Sequence, residues 1–496
     1  MARQIIPFPQ ELRPKLPTII GNVDYLMLRQ RLEQIDALLL DGGVEKDFVL
    51  KSLQRWMTAC EEEEPSSLQQ IKYQQRSRRA LRCTVLRTLL QEDYRGFTCQ
   101  LAGNPLFQWF CQVDALEVVR VPSKSELHRF TTWLPAETMR QVINGLLKGA
   151  MNQSTLLELE EPLDLEEYFL DSTCVKANIH FPIDWVLLRD GVRTLMKATL
   201  LIREEGLNGR MEAPEEFLRR MNRLSIEMSQ QGRRAESKKG RKQVLRKMKK
   251  LVGVVRAHAQ RHRELLDRRW EETKWTRPQA EQILRRLDSV LELLPRAQEQ
   301  AHERIIGGRL VANEEKILSL YDLDVRILVR GKAGAEVEFG NTVLVGENRQ
   351  GLILDYSIFR ESAPADSQLL MESLMRVWSM AGRQIGSVVT DRGFASAANS
   401  KTLANSETLD ATCPRKPAVL KERMQNETFA RLQRRRGQTE ARIAILKNGF
   451  LGRPLRAKGF DNREMALAWG VLTHNLWKLA EMRKTKDAVE PVPKAA

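Results

Sequence analysis

A lone strand-like stretch, "EYFLDSTCVKANI", is separated from the chain's other strands by a long helical block, so any single sheet must reach across that block to use it. Apolar Phe169 and Leu170 lead into Asp171, and the break "HFPID" then opens a helical pattern running to about Ile306. Strand patterning returns after Gly307 in "DVRILVRG", "VEFGNTVLVGENRQGLILDYSIF" and "GRQIGSVVTDRG", with a turn expected over 347–351. A helix is expected over "DSQLLMESLMRVWSMAG", capped by Asp366 or Ser367, and "ATCPRKPAVL" reads as a short strand or loop. Two helices follow, "ETFARLQRRRGQTEARIAILKNG" and "NREMALAWGVLTHNLWKLAEMRK". The order implies an α/β fold, a mixed sheet with flanking helices and a helical insertion at about 185–306 after its first strand.

Ahead of this lies a mostly helical region with apolar residues at i, i+3, i+4 and i+7, broken at "DGG", "EEEEP" and "AGNP". We divide the chain into an all-α N-terminal domain over 1–155, an α/β domain over 156–483 and a disordered tail from 484. Within the first, "VPSKSELHRFTTWLPAETMRQVINGLL" reads as two helices across a turn at Leu134–Pro135. That suits a helix-turn-helix on DNA or, equally, two packed helices of an all-α domain.

Charge narrows the partner. The chain carries a formal +16 with a pI near 9.6, and the excess is clustered. Between Lys238 and Arg269 cations recur on nearly every helical turn, including Lys238, Lys239, Arg241, Lys242, Arg246 and Lys249, while Val244, Leu245, Met248, Leu251, Val254 and Val255 keep an apolar stripe. One face packs and another faces a polyanion, for which DNA backbone phosphate is the leading choice over a merely solvated charged face. The six cysteines form no C-x-x-C pair and read as free thiols of a reducing compartment. No secretory h-region and no apolar run near the roughly 18 residues of a membrane span is present, so a cytoplasmic location is expected.

Few side chains suit catalysis. The six histidines lack metal spacing, and no nucleophile elbow, P-loop or dinucleotide fingerprint occurs. Carboxylates remain, and on a DNA-binding protein they face the polyanion only with a reason, such as holding a pair of divalent cations that clamp a phosphodiester. Asp171 in its strand, Asp391 at the end of "GSVVTDRG" and Glu440 within "RRRGQTEARIAILKNG" could converge at one sheet edge. Each has a plain alternative: a turn cap, a turn residue, and a surface pair of Glu440 with Arg436 contributing about 0.3–0.5 kcal/mol. Asp184, just after Pro182, reads as an N-cap and Asp190 as a helix-surface acid, with a DNA-facing role for His180 or Asp184 left open.

The motifs "DSTCVKANIHFPID", "RGKAGAEVEFGNTVLVGENRQGLILDY", "VVTDRGF" and "RRRGQTEARIAILKNG", in that order, resemble the catalytic domain of bacterial DDE-class insertion-sequence transposases, most nearly the ISNCY type. The resemblance implies an RNase H-like fold, with Asp171, Asp391 and Glu440 as a metal-binding catalytic triad. It implies two Mg²⁺ ions (or Mn²⁺), binding of terminal inverted repeats and target DNA, DNA cleavage and strand transfer, and a homodimer on DNA in the bacterial nucleoid. Related enzymes carry Y-x2-R-x3-E-x6-K around the glutamate. Arg436, Glu440 and Lys447 match its last three positions, and Gln433 stands at the tyrosine. Arg436 and Lys447, together with Lys332, Arg392 and the basic helix, are then the expected DNA contacts. The alternatives are a metal-dependent endonuclease without strand transfer and a non-catalytic DNA-binding protein.

Overall fold

The computed structural model describes residues 13–60, 65–115, 118–231, 237–332, 335–452 and 454–484, with the side chains of 114–115 and 330–336 left aside. The tail expected to be disordered lies, from 485, outside the described residues. The chain forms two compact units, one from residues 1–176, 342–359 and 363–496, the other from 177–341 and 360–362. Among the described residues no helix is long and apolar enough to cross a membrane.

The first unit opens with seven helices: α1 (Val23–Asp41), α2 (Val44–Ala59), α3 (Ser67–Leu90), α4 (Tyr94–Gly103), α5 (Pro105–Cys111), α6 (Lys124–Thr131) and α7 (Ala136–Asn152). Between α5 and α6 lies a two-stranded ladder, β1 (Asp114–Ala115) with β2 (Val118–Val119), too short to leave a strand signature in the sequence. Local chemistry sets the helix starts. Ser66 and Gln69 form a capping box for α3, the Asp93 carboxylate accepts from Arg95 and Gly96 N–H at α4, and Asn104 caps α5 ahead of Pro105. The helices are tied by Arg82, fully buried on α3, whose guanidinium donates to Asp36 on α1, Glu45 on α2 and the Phe110 carbonyl.

The rest of this unit supplies most of a six-stranded sheet, in the order β4-β5-β3-β7-β8 with β6 paired to β5. Its strands are β3 (Glu167–Lys176), β4 (Arg326–Lys332), β5 (Ala335–Asn348), β6 (Ile353–Ile358), β7 (Ser387–Thr390) and β8 (Leu409–Asp410). β3 runs parallel to β7, which runs parallel to β8, whereas β5 is antiparallel to β4 and β6. The first half of β5 pairs with β4 inside the second unit. Tyr168 lies across β5 at Gly346, where an added Cβ would fall 1.7 Å from its hydroxyl oxygen, so only glycine is accommodated there. The Tyr168 hydroxyl meets Ser373 Oγ at 2.6 Å, and Ser373 donates to Asp355, which also takes two hydrogen bonds from Arg376.

One continuous core joins the seven N-terminal helices to β3, β5, β6 and the C-terminal helix. The boundary expected near residue 155 therefore does not divide two cores. The helices α6 and α7 contribute to the same core. Leu127, Phe130 and the stripe from Met139 through Leu147 are all in that core, and α7 packs against three other helices. Its apolar stripe is buried on the protein, as in a packed helix and in one that reads a groove with its polar face.

The second unit is the insertion, four helices around their own core: α8 (Asp184–Glu204), α9 (Pro214–Gln230), α10 (Ser237–Arg269) and α11 (Arg277–His302). Asp184 is the first residue of α8 but makes no side-chain cap bond. It is buried instead, accepting from Gln300 Nε2 at 2.9 Å and from Arg304 Nη1 at 2.8 Å, so it ties α8 to the end of α11 and does not face DNA. Asp190 is half-buried and paired with neighbouring Arg189.

Arg82 gives a direct stability test. Arg82→Met leaves Asp36 and Glu45 buried with fewer partners and should lower unfolding free energy by about 3–5 kcal/mol, read by denaturant melts.

Candidate active site

The site begins with register. β3 and β7 pair in parallel from Glu167 opposite Ser387 to Leu170 opposite Thr390. The next position along each chain is an aspartate, Asp171 within β3 and Asp391 just past the end of β7. Adjacent strands lie about 4.8 Å apart, so the two acids are neighbours. Side chains alternate along a strand, and Phe169 and Val389, two residues earlier, share a small apolar cluster with Phe429 and Leu432. Asp171 thus lies on the sheet face covered by the helix that carries those residues. Both aspartates are half-buried. Asp171 accepts from the Ser172 N–H and Asp391 from the Gly393 N–H, each at 2.8 Å.

That cover is built from two helices. α12 (Asp366–Ala381), α13 (Ala397–Ala404) and α14 (Pro417–Arg423) are followed by α15 (Glu427–Arg435), α16 (Gly437–Ile445) and, after a π turn over Leu446–Leu451, by α17 (Phe460–Glu481). The single helix expected around Glu440 is broken at Arg436, ahead of Gly437, and widens into the π turn. Arg436 keeps helical backbone four residues before Glu440, whereas Lys447, inside the π turn, departs from the regular helical spacing. Gly437, with its low helix propensity, opens α16, and Glu440 sits in the first turn. α16 packs on β3.

Glu440 is exposed and makes no hydrogen bond or ion pair among the described residues, so the expected alternative of a pair with Arg436 is not formed. Lys447 Nζ donates to Thr173 Oγ1 at 3.2 Å, which places it at the same face of β3 two residues beyond Asp171. Gln433, at the position where related enzymes carry tyrosine, donates from Nε2 to the carbonyl oxygens of Ala411 (2.5 Å) and Thr390 (3.4 Å). It straps α15 to the strand ends that carry Asp391. Arg415 similarly spans the "DRG" turn, donating to the carbonyls of Arg392 and Gly393.

The structure brings Asp171, Asp391 and Lys447 to one sheet face beneath the helices bearing Arg436 and Glu440. Arg392 is exposed beside Asp391. Among the described residues no three acidic, histidine or cysteine side chains are gathered closely enough to hold one ion. Two adjacent carboxylates still suit Mg²⁺, which commonly takes one or two from protein and completes its shell with water and substrate phosphate. The basic helix belongs to the second unit. There Lys238, Lys239 and Arg246 are exposed, Arg241 and Lys242 are half-buried, and Lys249 Nζ is 2.9 Å from His302 Nδ1. The side chain of Lys332 lies outside the described residues.

Thr173 and Arg415 carry no sequence signal, since a lone hydroxyl or guanidinium marks nothing until its partner is known, and Gln433 stands out only as the residue at the tyrosine position. Asp366, at the start of α12, was read as a cap. Its carboxylate instead lies beside Gly393, where an added Cβ would be 2.9 Å from Asp366 Oδ2 and 3.0 Å from Asp391 Oδ1.

Asp171 within β3 and Asp391 just past the end of the parallel β7 are thus neighbouring acids on a sheet face overlain by the helix that bears Glu440, an arrangement suited to phosphate chemistry. Residues 332–476 match the family model for the transposase DDE domain, and that stretch holds Asp391, Glu440, Arg436 and Lys447. The match is consistent with the resemblance to DDE-class insertion-sequence transposases. The matched stretch is under a third of the chain and leaves out β3 with Asp171. No curated protein and no solved structure matches the chain.

The strap is testable apart from the acids. Gln433→Ala leaves the Thr390 and Ala411 carbonyls without this donor and should cost about 1–3 kcal/mol in thermal or denaturant unfolding.

Proposed function

We propose that the chain is a DNA transposase of RNase H-like fold, with Asp171, Asp391 and Glu440 as its catalytic, cation-holding acids. One observation carries the reading: the parallel β3–β7 register sets Asp171 beside Asp391, inside the unit that holds most of the stretch matched by the DDE-domain model. The divalent ions, Mg²⁺ or Mn²⁺, would lower the pKa of the attacking hydroxyl and neutralise charge on the scissile phosphate. The protein's part is positional. Asp171 and Asp391 are held by strand backbone and by the Ser172 and Gly393 N–H donors, which orient each carboxylate. Glu440, unengaged by other side chains, is available to complete the set when DNA enters. Lys447 and Arg436 supply cations for backbone phosphates around it, and Arg392 adds one beside Asp391.

In the reaction, water attacks the phosphodiester at the element's end and releases a 3′-hydroxyl. That hydroxyl then attacks a target phosphodiester, forming one bond as the other breaks, without a covalent protein intermediate. The N-terminal helices and the exposed cations of α10, with Lys332, would grip the terminal inverted repeats. Two ends must be held together, which calls for a dimer on DNA in the bacterial cytoplasm.

The test is a cleavage and joining assay with Mg²⁺ and DNA bearing the inverted repeats that flank the gene. Asp171→Asn, Asp391→Asn and Glu440→Gln should each reduce both products by well over about 100-fold, since even outer partners of metal ligands matter on that scale. DNA binding should persist. Cleavage without joined products supports the nuclease alternative, and full activity in all three variants removes the triad.

A further inference from the structure

Beneath α16, on the sheet, lies a buried carboxyl that the reaction above does not use. Glu347, near the end of β5, is 5 % exposed. It lines a small cavity of about 10 Å³, with Phe169, Arg349, Arg435, Thr439 and Arg442 among its walls. Thr439 and Arg442 come from α16 and flank Glu440 in sequence. The Thr439 hydroxyl faces Glu347, yet neither Thr439 Oγ1 nor Glu347 Oε2 has a well-aligned hydrogen-bond partner. Arg442 Nε stands 4.0 Å from Glu347 Oε2, the outer limit of an ion pair. The Arg442 guanidinium is set there by the β5–β6 turn. Gly351 has φ +83°, and an added Cβ would come within 2.8 Å of Arg442 Cζ.

The other charges around the pocket are already engaged. Arg435 on α15 is taken by Glu167 of β3 at 2.9 Å, with Arg431 on the same carboxylate at 2.6 Å. Arg349 is taken by Asp164 at 2.6 Å, with Glu166 at 3.5 Å. Glu347 therefore meets α16 through Thr439 and Arg442, one residue before Glu440 and two after it.

We propose that Glu347 is a positioning residue for Glu440: wedged from the sheet against Thr439 and Arg442, it fixes the rotation of α16 about its axis and so the place of the Glu440 carboxylate. The inference rests on Glu440 being one of the cation-holding acids. Burial pushes the Glu347 carboxyl up to about 8, against the opposing pull of Arg442, the Thr439 hydroxyl and Arg435. At neutral pH it is a neutral hydrogen-bonding group that can donate to Thr439 as well as accept. Above pH 8 it becomes a buried anion that draws Arg442 inward, and the seat of α16 changes. In the unfolded chain the same group ionises near pH 4.5. Between these values the folded protein holds a proton that the unfolded chain has released. Stability contributed by Glu347 thus falls as pH rises from about 5 to 8 and is flat beyond.

The experiment uses the full-length protein, Mg²⁺ and duplex DNA bearing the gene's flanking inverted repeats, and measures single-turnover cleavage from pH 6 to 9. Glu347→Ala and the near-isosteric Thr439→Val should slow cleavage by about tenfold or more with DNA affinity unchanged, as expected for a misplaced catalytic group. Glu347→Gln, a mimic of the neutral carboxyl, should rescue the rate lost in Glu347→Ala. It should also lack the wild-type decline through pH 8, and flatten the pH dependence of the melting temperature between pH 5 and 8. Superimposable wild-type and Glu347→Gln profiles, or a wild-type rate in Thr439→Val, overturn the proposal. Should Glu347→Ala not fold, Thr439→Val and Glu347→Gln still decide. Glu440→Gln is the control. If it is inactive while the Glu347 and Thr439 variants behave as wild type, only this inference fails; if it is fully active, the triad reading fails first.

Discussion

The parallel pairing of β3 with β7 is the constraint on which the site depends. It fixes Leu170 opposite Thr390, and a one-residue slip would turn Asp171 to the other face of the sheet, among Tyr168 and Leu170 in the apolar core. The register is held from both faces. On one, Phe169 and Val389 pack under α15, and Gln433 bonds the carbonyls at the strand ends. On the other, Tyr168 is locked by Ser373 and by the bare backbone of Gly346. A polar hydroxyl buried completely is tolerated there because Ser373, Asp355 and Arg376 satisfy one another in sequence.

This arrangement explains why some of the site was legible in the sequence. Asp171 and Asp391 each follow short apolar strand runs, and alternation with β-branched residues is a local signal that survives without tertiary context. Glu440 stands out only as one carboxylate among those left for catalysis, and Lys447 only through resemblance, because no periodicity marks either. The break at Arg436 was missed for a physical reason. "RRRGQTEARIAIL" carries a helical pattern across Gly437, while in the fold α15 packs on Val389 of β7 and α16 on β3, which is tertiary information. Gln433 was read as a departure from the family's tyrosine, and only the fold shows its carboxamide strapping two strand ends.

Asp184 illustrates the opposite error. Its position after Pro182 fits a cap by local rules, yet Gln300 and Arg304, far along the chain, draw it into a buried tie. Nor could the N-terminal boundary be read from composition. The helices up to α7 have the stripes of a free-standing all-α domain, but those stripes close on β5, β6 and α17 in one core. Amphipathic faces report that a partner exists and leave its identity open.

The insertion raises the question of how β3 finds β7 across 220 residues. Loop-closure entropy grows slowly, about 0.6 kcal/mol for each doubling of length, so even a structureless connection of this size is a modest burden on stability. The connection is not structureless. Leu188, Val192, Leu195, Val252, Leu287 and Leu294 are buried in a core of the second unit's own, made by its four helices rather than by β3. A unit packed around its own core shortens the effective loop that β3 must close, and it leaves the cationic residues of α10 free of any role in holding the sheet. The acids and the basic helix can then be separate devices on one chain, the former fixed by strand register and the latter by a helical core.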